Sequence, residues 1–314
     1  MATALFVDIA IEGALIQIYA LLLQHPILCD SIQHATFPRN GDWQHIQQAA
    51  LIELLARFPR AVTLTLNGVY PDYLQAPPLA SHLAPLNLRK LVVRLSSIAM
   101  FASATFFRIL EHLPQLRELE VGSDEGACWA TPWPPPELPF RLDAFTYSGL
   151  ICGRACAHII RSSLRTLTAL HIVDHRRISD DNFRLLIPAV VDAAPVLREL
   201  SLSLPGSGVL DEYVEPLVAA LARARLLRAA ARTQAILWRV ARIACGTVRG
   251  DLKLSCTLQP DTIERVPTDV LASVSSGRVK ALTLSGFWIS DESAQEMARR
   301  CSQRRVRCSL LNRW

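Results

Sequence analysis

Few residues of this sequence have the types and the spacing that catalysis or metal binding requires. Cys152, Cys156 and His158 lie close together, but zinc sites normally have tighter cysteine pairs and a second pair of ligands. His171 and His175 lie at the end of a predicted strand, where alternation directs the two rings apart. The sequence contains neither a phosphate-binding glycine-rich loop nor a Gly-x-Ser-x-Gly nucleophile turn. We therefore predict a non-enzymatic protein with no metal and no cofactor.

A run of arginines in segment 214–249 is the strongest charge feature. Residues 223–314 hold 17 of the 33 basic residues but only 7 of the 28 acidic residues. On an ideal helix, five of the arginines fall within about 100° of one another. Such a basic helix binds nucleic acid or an anionic membrane, although a solvated helix face in an irregular repeat is the preferred interpretation. A shifted reading frame across residues 215–250 is a third interpretation. The five arginines are Arg225, Arg228, Arg232, Arg239 and Arg242.

The elements that would position these residues follow from an internal repeat. A block of the form Leu-x-x-Leu-x-Leu recurs, and its fourth residue lies 23 to 32 residues from the next, except for one interval of 52. We therefore expect one degraded copy near position 226. The clear blocks begin at Leu88, Leu116, Leu167, Leu197 and Val279, and the weaker ones have their fourth residue at Ile9, Ile32, Leu64, Phe145, Leu252 and Val306.

Amphipathic helical patterns lie between the blocks, as in residues 106–113 and 183–191. Ser290, which precedes Asp291 and Glu292, is predicted to cap a helix N-terminus. A strand, a turn and a helix form a unit that buries its apolar face only by stacking on neighbouring units. We therefore predict an α/β solenoid over residues 1–314. It would be a curved horseshoe of about eleven degenerate repeats, with parallel strands on the concave face and helices on the convex face.

Alternation along each strand predicts which side chains face the concave surface. Because like positions of adjacent parallel strands lie side by side, we expect Lys90 beside Glu118. A mixed polar surface of this kind is predicted to bind a protein, and a ladder that is merely solvated is the alternative. The predicted partner-binding residues are Lys90, Val92, Arg94, Glu118, Glu120, Thr146, His171, Glu199, Ser201, Lys253 and Thr283.

The blocks resemble leucine-rich repeats of the ribonuclease-inhibitor-like type. More narrowly, residues 21–26 (LLLQHP), 113–119 (LPQLREL) and 194–200 (APVLREL) resemble the repeat portion of fungal F-box/leucine-rich-repeat proteins. The resemblance implies recognition of a protein substrate within a Skp–cullin–F-box ubiquitin ligase. No F-box module precedes the first block, so we expect it upstream of Met1 or lost, with a Skp-type adaptor as partner only if it exists. A truncated paralogue without a ligase role is the alternative.

Three further features bear on domain organisation and location. Segment 123–139 is a proline-rich loop, interpreted as a convex-side loop in preference to a docking site for an aromatic-grooved module. The eight cysteines form no framework of close pairs, which favours a reducing location in the cytoplasm or nucleus. The apolar stretch 2–23 carries acidic residues, so we expect no membrane span, and nucleic acid and membrane are the less favoured partners.

Overall fold

Strands and helices alternate along much of the described chain. The computed structural model describes residues 8–10, 24, 32–37, 58–69, 87–95, 104–123, 136–149, 152–173, 180–204, 213, 216–217, 224–231, 234–257 and 263–311. The chain divides into two compact units, an N-terminal unit (Met1–Ser163) and a C-terminal unit (Leu164–Trp314).

The described part of the N-terminal unit contains six strands that pair in parallel and in chain order from β1 to β6. The strands are β1 (Asp8–Ala10), β2 (His34–Phe37), β3 (Thr63–Val69), β4 (Lys90–Leu95), β5 (Glu118–Ser123) and β6 (Ala144–Gly149). Two described helices, α1 (Ala104–Leu110) and α2 (Gly153–Ser162), follow β4 and β6. The fourth residues of successive blocks face one another and are buried, as Leu91 and Leu119 illustrate.

The described part of the C-terminal unit repeats this arrangement with six parallel strands in chain order from β7 to β12. The strands are β7 (Ala169–Val173), β8 (Glu199–Ser203), β9 (Leu226–Ala231), β10 (Asp251–Cys256), β11 (Ala281–Ser285) and β12 (Arg307–Leu311). The described helices between them are α3 (Asp180–Ala193), α4 (Gln234–Thr247), α5 (Thr268–Ser276) and α6 (Asp291–Gln303).

Helix formation follows the patterns in the sequence. The stripe on α3 is buried at Phe183, Leu186 and Val190, as an amphipathic helix on a shared core requires. At α6, the Ser290 side chain accepts a hydrogen bond from the Ser293 backbone N–H at 3.2 Å, so the predicted cap is present. Parallel strands in chain order, with described helices after β4, β6, β7, β9, β10 and β11, confirm the predicted α/β fold of the leucine-rich-repeat kind within each unit.

Strand β9 is the repeat copy that the block pattern failed to show. Leu227 faces Leu200 on β8 and Leu252 on β10, at the place where the double interval predicts a copy. The copy shows no recognisable leucine block because alanine stands at its first and sixth block positions, Ala224 and Ala229. Both alanines are buried. Its in-register pairing supports a genuine repeat over a shifted reading frame.

The prediction of one basic helix in segment 214–249 is wrong. Arg225 directly precedes β9 and Arg228 lies on it, whereas Arg239 and Arg242 lie on α4. The strand forms because neighbouring strands on both sides supply its backbone hydrogen bonds, which overrides the helical preference of an Ala/Arg/Leu sequence. Arg232 lies outside the described residues.

Two weak blocks were assigned in the wrong register. Ala35, not Ile32, pairs with Leu64 and so takes the fourth position. At the last strand, Cys308, not Val306, pairs with Leu282. In both cases the prediction puts the fourth position at a larger aliphatic residue nearby, whereas a small side chain occupies it.

Candidate protein-interaction surface

Alternate strand residues point away from the core and form what we call the strand face. On β6, β7 and β11, every second residue is buried and the residues between are partly exposed. Because the strands pair in register, the exposed residues line up in rows across each unit, about 4.8 Å apart from strand to strand. The rows, rather than any single strand, define what a partner would contact.

The strand face of the N-terminal unit carries a salt bridge in its first row. Lys90 on β4 lies directly opposite Glu118 on β5. The Lys90 Nζ lies 2.9 Å from Glu118 Oε2, and the two side chains are 42% and 50% exposed. These are the neighbours that the repeat spacing predicts. The pair is open to water, so it stabilises the fold little.

A second ion pair in this unit crosses between rows. The Arg94 Nη2 donates to Glu120 Oε1 on the next strand, and the two side chains are 39% and 29% exposed. Gly122 faces Arg94 across the strands, and a Cβ there would lie 2.6 Å from Arg94 Cδ. The missing side chain of Gly122 therefore makes room for the arginine. Arg94 Nη1 is buried without a hydrogen-bond partner among the described residues.

Other predicted residues of this face differ in exposure. Val92 is only 8% exposed, so the expectation that it offers binding surface is wrong. Its row neighbours are Thr65 and Glu120, and Glu120 is drawn into the ion pair with Arg94. Thr146 lies beyond Glu120 in the same row and is partly exposed.

The middle row of the C-terminal unit joins residues that the sequence assigned to two different sites. His171, Ser201, Arg228, Lys253 and Thr283 follow one another across β7 to β11 in register. We call these five residues the middle row. Arg228 was predicted for a basic helix, and its place in the row was recoverable only from the repeat interval after Leu200.

Two cations of the middle row have no counter-charge among the residues that the structure describes. Arg228 and Lys253 are adjacent and exposed, and neither has an acidic partner among the described residues. Their row neighbours are the hydroxyl side chains of Ser201 and Thr283. Adjacent, unpaired positive charges between hydroxyl groups favour a negatively charged ligand, because the charges repel one another in its absence.

The pKa of His171 depends on the charges around this row. Burial lowers its pKa from the ordinary value of 6.5, Glu199 on the neighbouring strand opposes that shift, and Arg228 adds to it. Glu199 is exposed on β8, in the first row. The imidazole is therefore neutral at physiological pH, so the positive charge of the row comes from Arg228 and Lys253.

The two arginines of α4 belong to the helical side, because α4 packs against β9 and β10. Arg239 and Arg242 line a cavity of about 530 Å³ together with Trp238. Trp238 Nε1 donates to Glu264 Oε2 at 3.1 Å, and Arg242 Nη1 lies 3.6 Å from Asp269 Oδ2. The structure thus separates these arginines from Arg225 and Arg228.

The residues with a superficial metal pattern serve the core of the N-terminal unit. Cys156 is fully buried on α2, and burial raises the pKa of its thiol well above the ordinary value. His158 Nε2 donates to the Pro136 carbonyl at 2.9 Å, and its ring lies 5.5 Å from that of Phe107. Within the described ranges, no three His, Cys, Asp or Glu side chains are grouped so as to hold a metal ion.

Two other expectations concern segments and helices. The central part of the proline-rich loop, residues 124–135, lies outside the described residues. Of the helices in the described ranges, none combines the length and the apolar character that crossing a membrane requires.

Comparisons with known proteins found similarity among solved structures but not among sequences. No protein-family model matches the chain, and no curated protein sequence matches it. A solved leucine-rich-repeat protein of Leptospira interrogans is similar over 89% of this chain and 75% of that chain. The two share 11% sequence identity, with a TM-score of 0.33. The fold assignment rests on the strand pairings of this chain.

Proposed function

We propose that this chain is a non-enzymatic protein-interaction module that binds a protein partner on its strand face. The observation that carries the proposal is the middle row of the C-terminal unit, where polar side chains stand in register across five strands. Repeat arrays present extended surfaces of this kind, and alternating rows let a partner contact several repeats at once.

The composition of the row suits contact with a protein. Ser201 and Thr283 both donate and accept hydrogen bonds, while Arg228 and Lys253 only donate. Neither cation is held by an acidic side chain of the described chain, so both are free to pair with a partner. A partner that supplies acceptors would pair with donors that no acid of the described residues neutralises.

A finer proposal concerns the fate of the partner. The resemblance of residues 113–119 and 194–200 to F-box/leucine-rich-repeat proteins supports a role in selecting substrates for a ubiquitin ligase. In that case the partner on the strand face would be ubiquitylated, and a Skp-type adaptor would bind through an F-box. The test is co-purification of a Skp-type adaptor with the full-length gene product, together with a longer half-life of the partner when the gene is deleted. A partner with an unchanged half-life would contradict the ligase role only.

Site-specific photo-crosslinking in the source cells tests the interaction itself. A photoreactive residue placed at Ser201 or Thr283 should crosslink one discrete protein, since both positions lie in the middle row. The same residue at Ser302, which is exposed on α6, is the matched control and should give no such product. Equal crosslinking from Ser302, or none from the row positions, would contradict the proposed function.

A further inference from the structure

A row of basic residues lies where the strands of the C-terminal unit begin. The residue two places before the fourth block position is Arg198, Arg225, Gly250 and Lys280 in successive repeats, and we call this the strand-start row. The Arg225 N–H donates to the Arg198 carbonyl at 2.7 Å, and the Lys280 N–H donates to the Gly250 carbonyl at 2.8 Å. These backbone contacts set the residues side by side.

Gly250 keeps the row closely spaced. A Cβ at Gly250 would lie 1.8 Å from the carbonyl oxygen of Arg225, a distance that no side chain tolerates. Arg249 precedes this glycine and is exposed. The positive charges of Arg198, Arg225, Arg249 and Lys280 therefore lie along one edge of the strands at intervals set by the strand spacing of about 4.8 Å.

Little within the chain neutralises this edge. All four basic side chains belong to exposed residues, and none has an acidic partner in the parts of the chain that the structure describes. Two described acids adjoin the row in the sequence, Glu199 after Arg198 and Asp251 after Gly250. Asp251 Oδ1 lies 3.8 Å from Arg307 Nη2, so a further arginine offsets that acid. The first row, which holds Glu199, Leu226 and Asp251, separates this edge from Arg228 and Lys253 on the strand face.

The chemistry of the edge distinguishes between polyanions. A single-stranded nucleic acid is bound through several aromatic side chains on which successive bases stack. The two rows contain no Phe, Tyr or Trp, and their one aromatic ring is that of the half-buried His171. An anionic membrane requires apolar side chains that insert beside the charges, and the same rows contain none. An acidic peptide requires only cations and hydrogen-bond donors, which both rows supply.

We propose that the strand-start row and the middle row of the C-terminal unit bind an extended segment of a protein partner that is rich in aspartate and glutamate. The inference rests on the proposed function and specifies the chemistry of the partner. Carboxylates of the segment pair with Arg198, Arg225 and Lys280 at the edge, and with Arg228 and Lys253 on the strand face. Exposed charge pairs of this kind mainly accelerate and orient association.

Fluorescence anisotropy with the full chain tests this proposal. The probe is a labelled peptide of alternating glutamate and serine, and the same peptide with glutamine in place of glutamate is the neutral comparison. The glutamate peptide should bind, and its affinity should fall as salt increases. The double change Arg225→Glu and Lys280→Glu should weaken binding roughly tenfold, because two exposed charge contacts are lost and reversed.

A control variant separates local charge from net charge. The double change Arg108→Glu and Arg184→Glu alters the net charge equally at exposed sites on α1 and α3, and it should leave peptide affinity unchanged. An equal loss in this control, or equal binding of the glutamine peptide, would overturn the proposal. Tighter binding of single-stranded DNA or of phosphatidylserine vesicles at the same salt would also overturn it.

The proposed function has an independent readout. If crosslinking from Ser201 and Thr283 still captures a discrete partner while the acidic peptide does not bind, the acidic segment is wrong and the interaction module stands. If both experiments fail, the proposed function fails with it. Far-ultraviolet circular dichroism of each variant shows that a lost interaction does not reflect a lost fold.

Discussion

The two units present the same kinds of charged side chain on their strand faces but differ in whether those charges are paired. In the N-terminal unit, Lys90 pairs with Glu118 and Arg94 pairs with Glu120. In the C-terminal unit, two cations of the middle row, Arg228 and Lys253, have no acidic partner among the described residues. The C-terminal face holds an ion pair between Asp251 and Arg307 in its first row, but it leaves the two cations of the middle row available.

The difference shows how the register of a repeat fold decides the surroundings of a charge. Lys90 precedes the buried Leu91 and lies opposite Glu118 of the next strand, whereas Lys253 follows the buried Leu252 and lies opposite Thr283. The row in which a cation lies, and the residue that the next repeat supplies there, therefore decide whether the cation is paired. The N-terminal face is thus expected to respond to substitution through stability, and the C-terminal face through affinity.

The largest expected effect comes from the close backbone approach in the C-terminal unit. Gly250→Ala should lower the free energy of unfolding by about 3 kcal/mol, because the new Cβ must displace the Arg225 backbone. Chemical denaturation measures this change. An effect below about 1 kcal/mol would mean that the strands separate easily and that the strand-start row is not rigidly spaced.

Two glycines provide matched controls for that substitution. A Cβ at Gly246 on α4 would meet no atom of a neighbouring element within 4 Å, so Gly246→Ala should be neutral or stabilise by up to about 1 kcal/mol. In the N-terminal unit, Gly122→Ala meets the flexible Arg94 side chain rather than backbone and should cost less than about 1 kcal/mol. A larger cost for Gly122→Ala than for Gly250→Ala would reverse the comparison between the units.

The second prediction separates the two ion pairs of the N-terminal unit. Glu120→Gln should cost about 1 kcal/mol of unfolding free energy, because it leaves Arg94 partly buried without its counter-charge. Glu118→Gln should cost less than about 0.5 kcal/mol, since the Lys90 pair is exposed to water. Equal costs in urea denaturation would show that burial does not distinguish the pairs.

The third prediction uses His171 to read the charge of the C-terminal face. Removing the Arg228 charge with Arg228→Gln should raise the pKa of His171, and Glu199→Gln should lower it further. Nuclear magnetic resonance titration of the imidazole protons measures both shifts. Shifts in the same direction, or none, would contradict the placement of His171 between these two charges.

The pH dependence of stability follows from the same group. The folded pKa of His171 lies below the ordinary value of 6.5, so the unfolded chain binds a proton more readily. Its contribution to stability is therefore complete above that ordinary pKa and is lost as pH falls through it toward the folded value. His171→Gln should flatten this part of the pH profile in thermal denaturation.

The smallest effect on stability is expected for Lys253. Lys253→Gln should change the free energy of unfolding by less than about 0.5 kcal/mol, because the described structure gives this side chain no ion pair to lose. The same substitution should weaken binding of the glutamate peptide. A clear destabilisation with unchanged peptide affinity would assign Lys253 to the fold rather than to a ligand.

Most of the fold could be predicted from the repeat spacing, because each block forms one strand and so sets both the period of the repeat and the direction of the strands. It also predicted that Lys90 and Glu118 are neighbours, since lateral contacts follow from register alone. The contact between Arg94 and Glu120 could not be predicted from the sequence, because it runs between rows and depends on the missing side chain of Gly122. Contacts that depend on side-chain length and on free space produce no periodic pattern in the sequence.

The errors share a physical origin in small residues. Ala35, Ala224 and Ala229 occupy buried block positions where leucine is expected. A buried alanine fits where neighbouring elements approach closely, but it does not stand out from the alanine-rich sequence around it. The place of Arg228 in the middle row could therefore not be predicted from the block pattern. It follows from β9, which sets Arg228 between Ser201 and Lys253.

Strand β9 also bears on how this chain tolerates change. It retains Leu227 as its only leucine at a buried strand position, yet its residues 226–230 pair with strands on both sides. A repeat flanked in this way inherits its conformation from its neighbours, much as a new layer of a crystal adopts the lattice beneath it. Interior repeats can thus change their exposed side chains, and even their core consensus, without redesign of the whole. Under the proposed function, binding specificity could therefore evolve one repeat at a time.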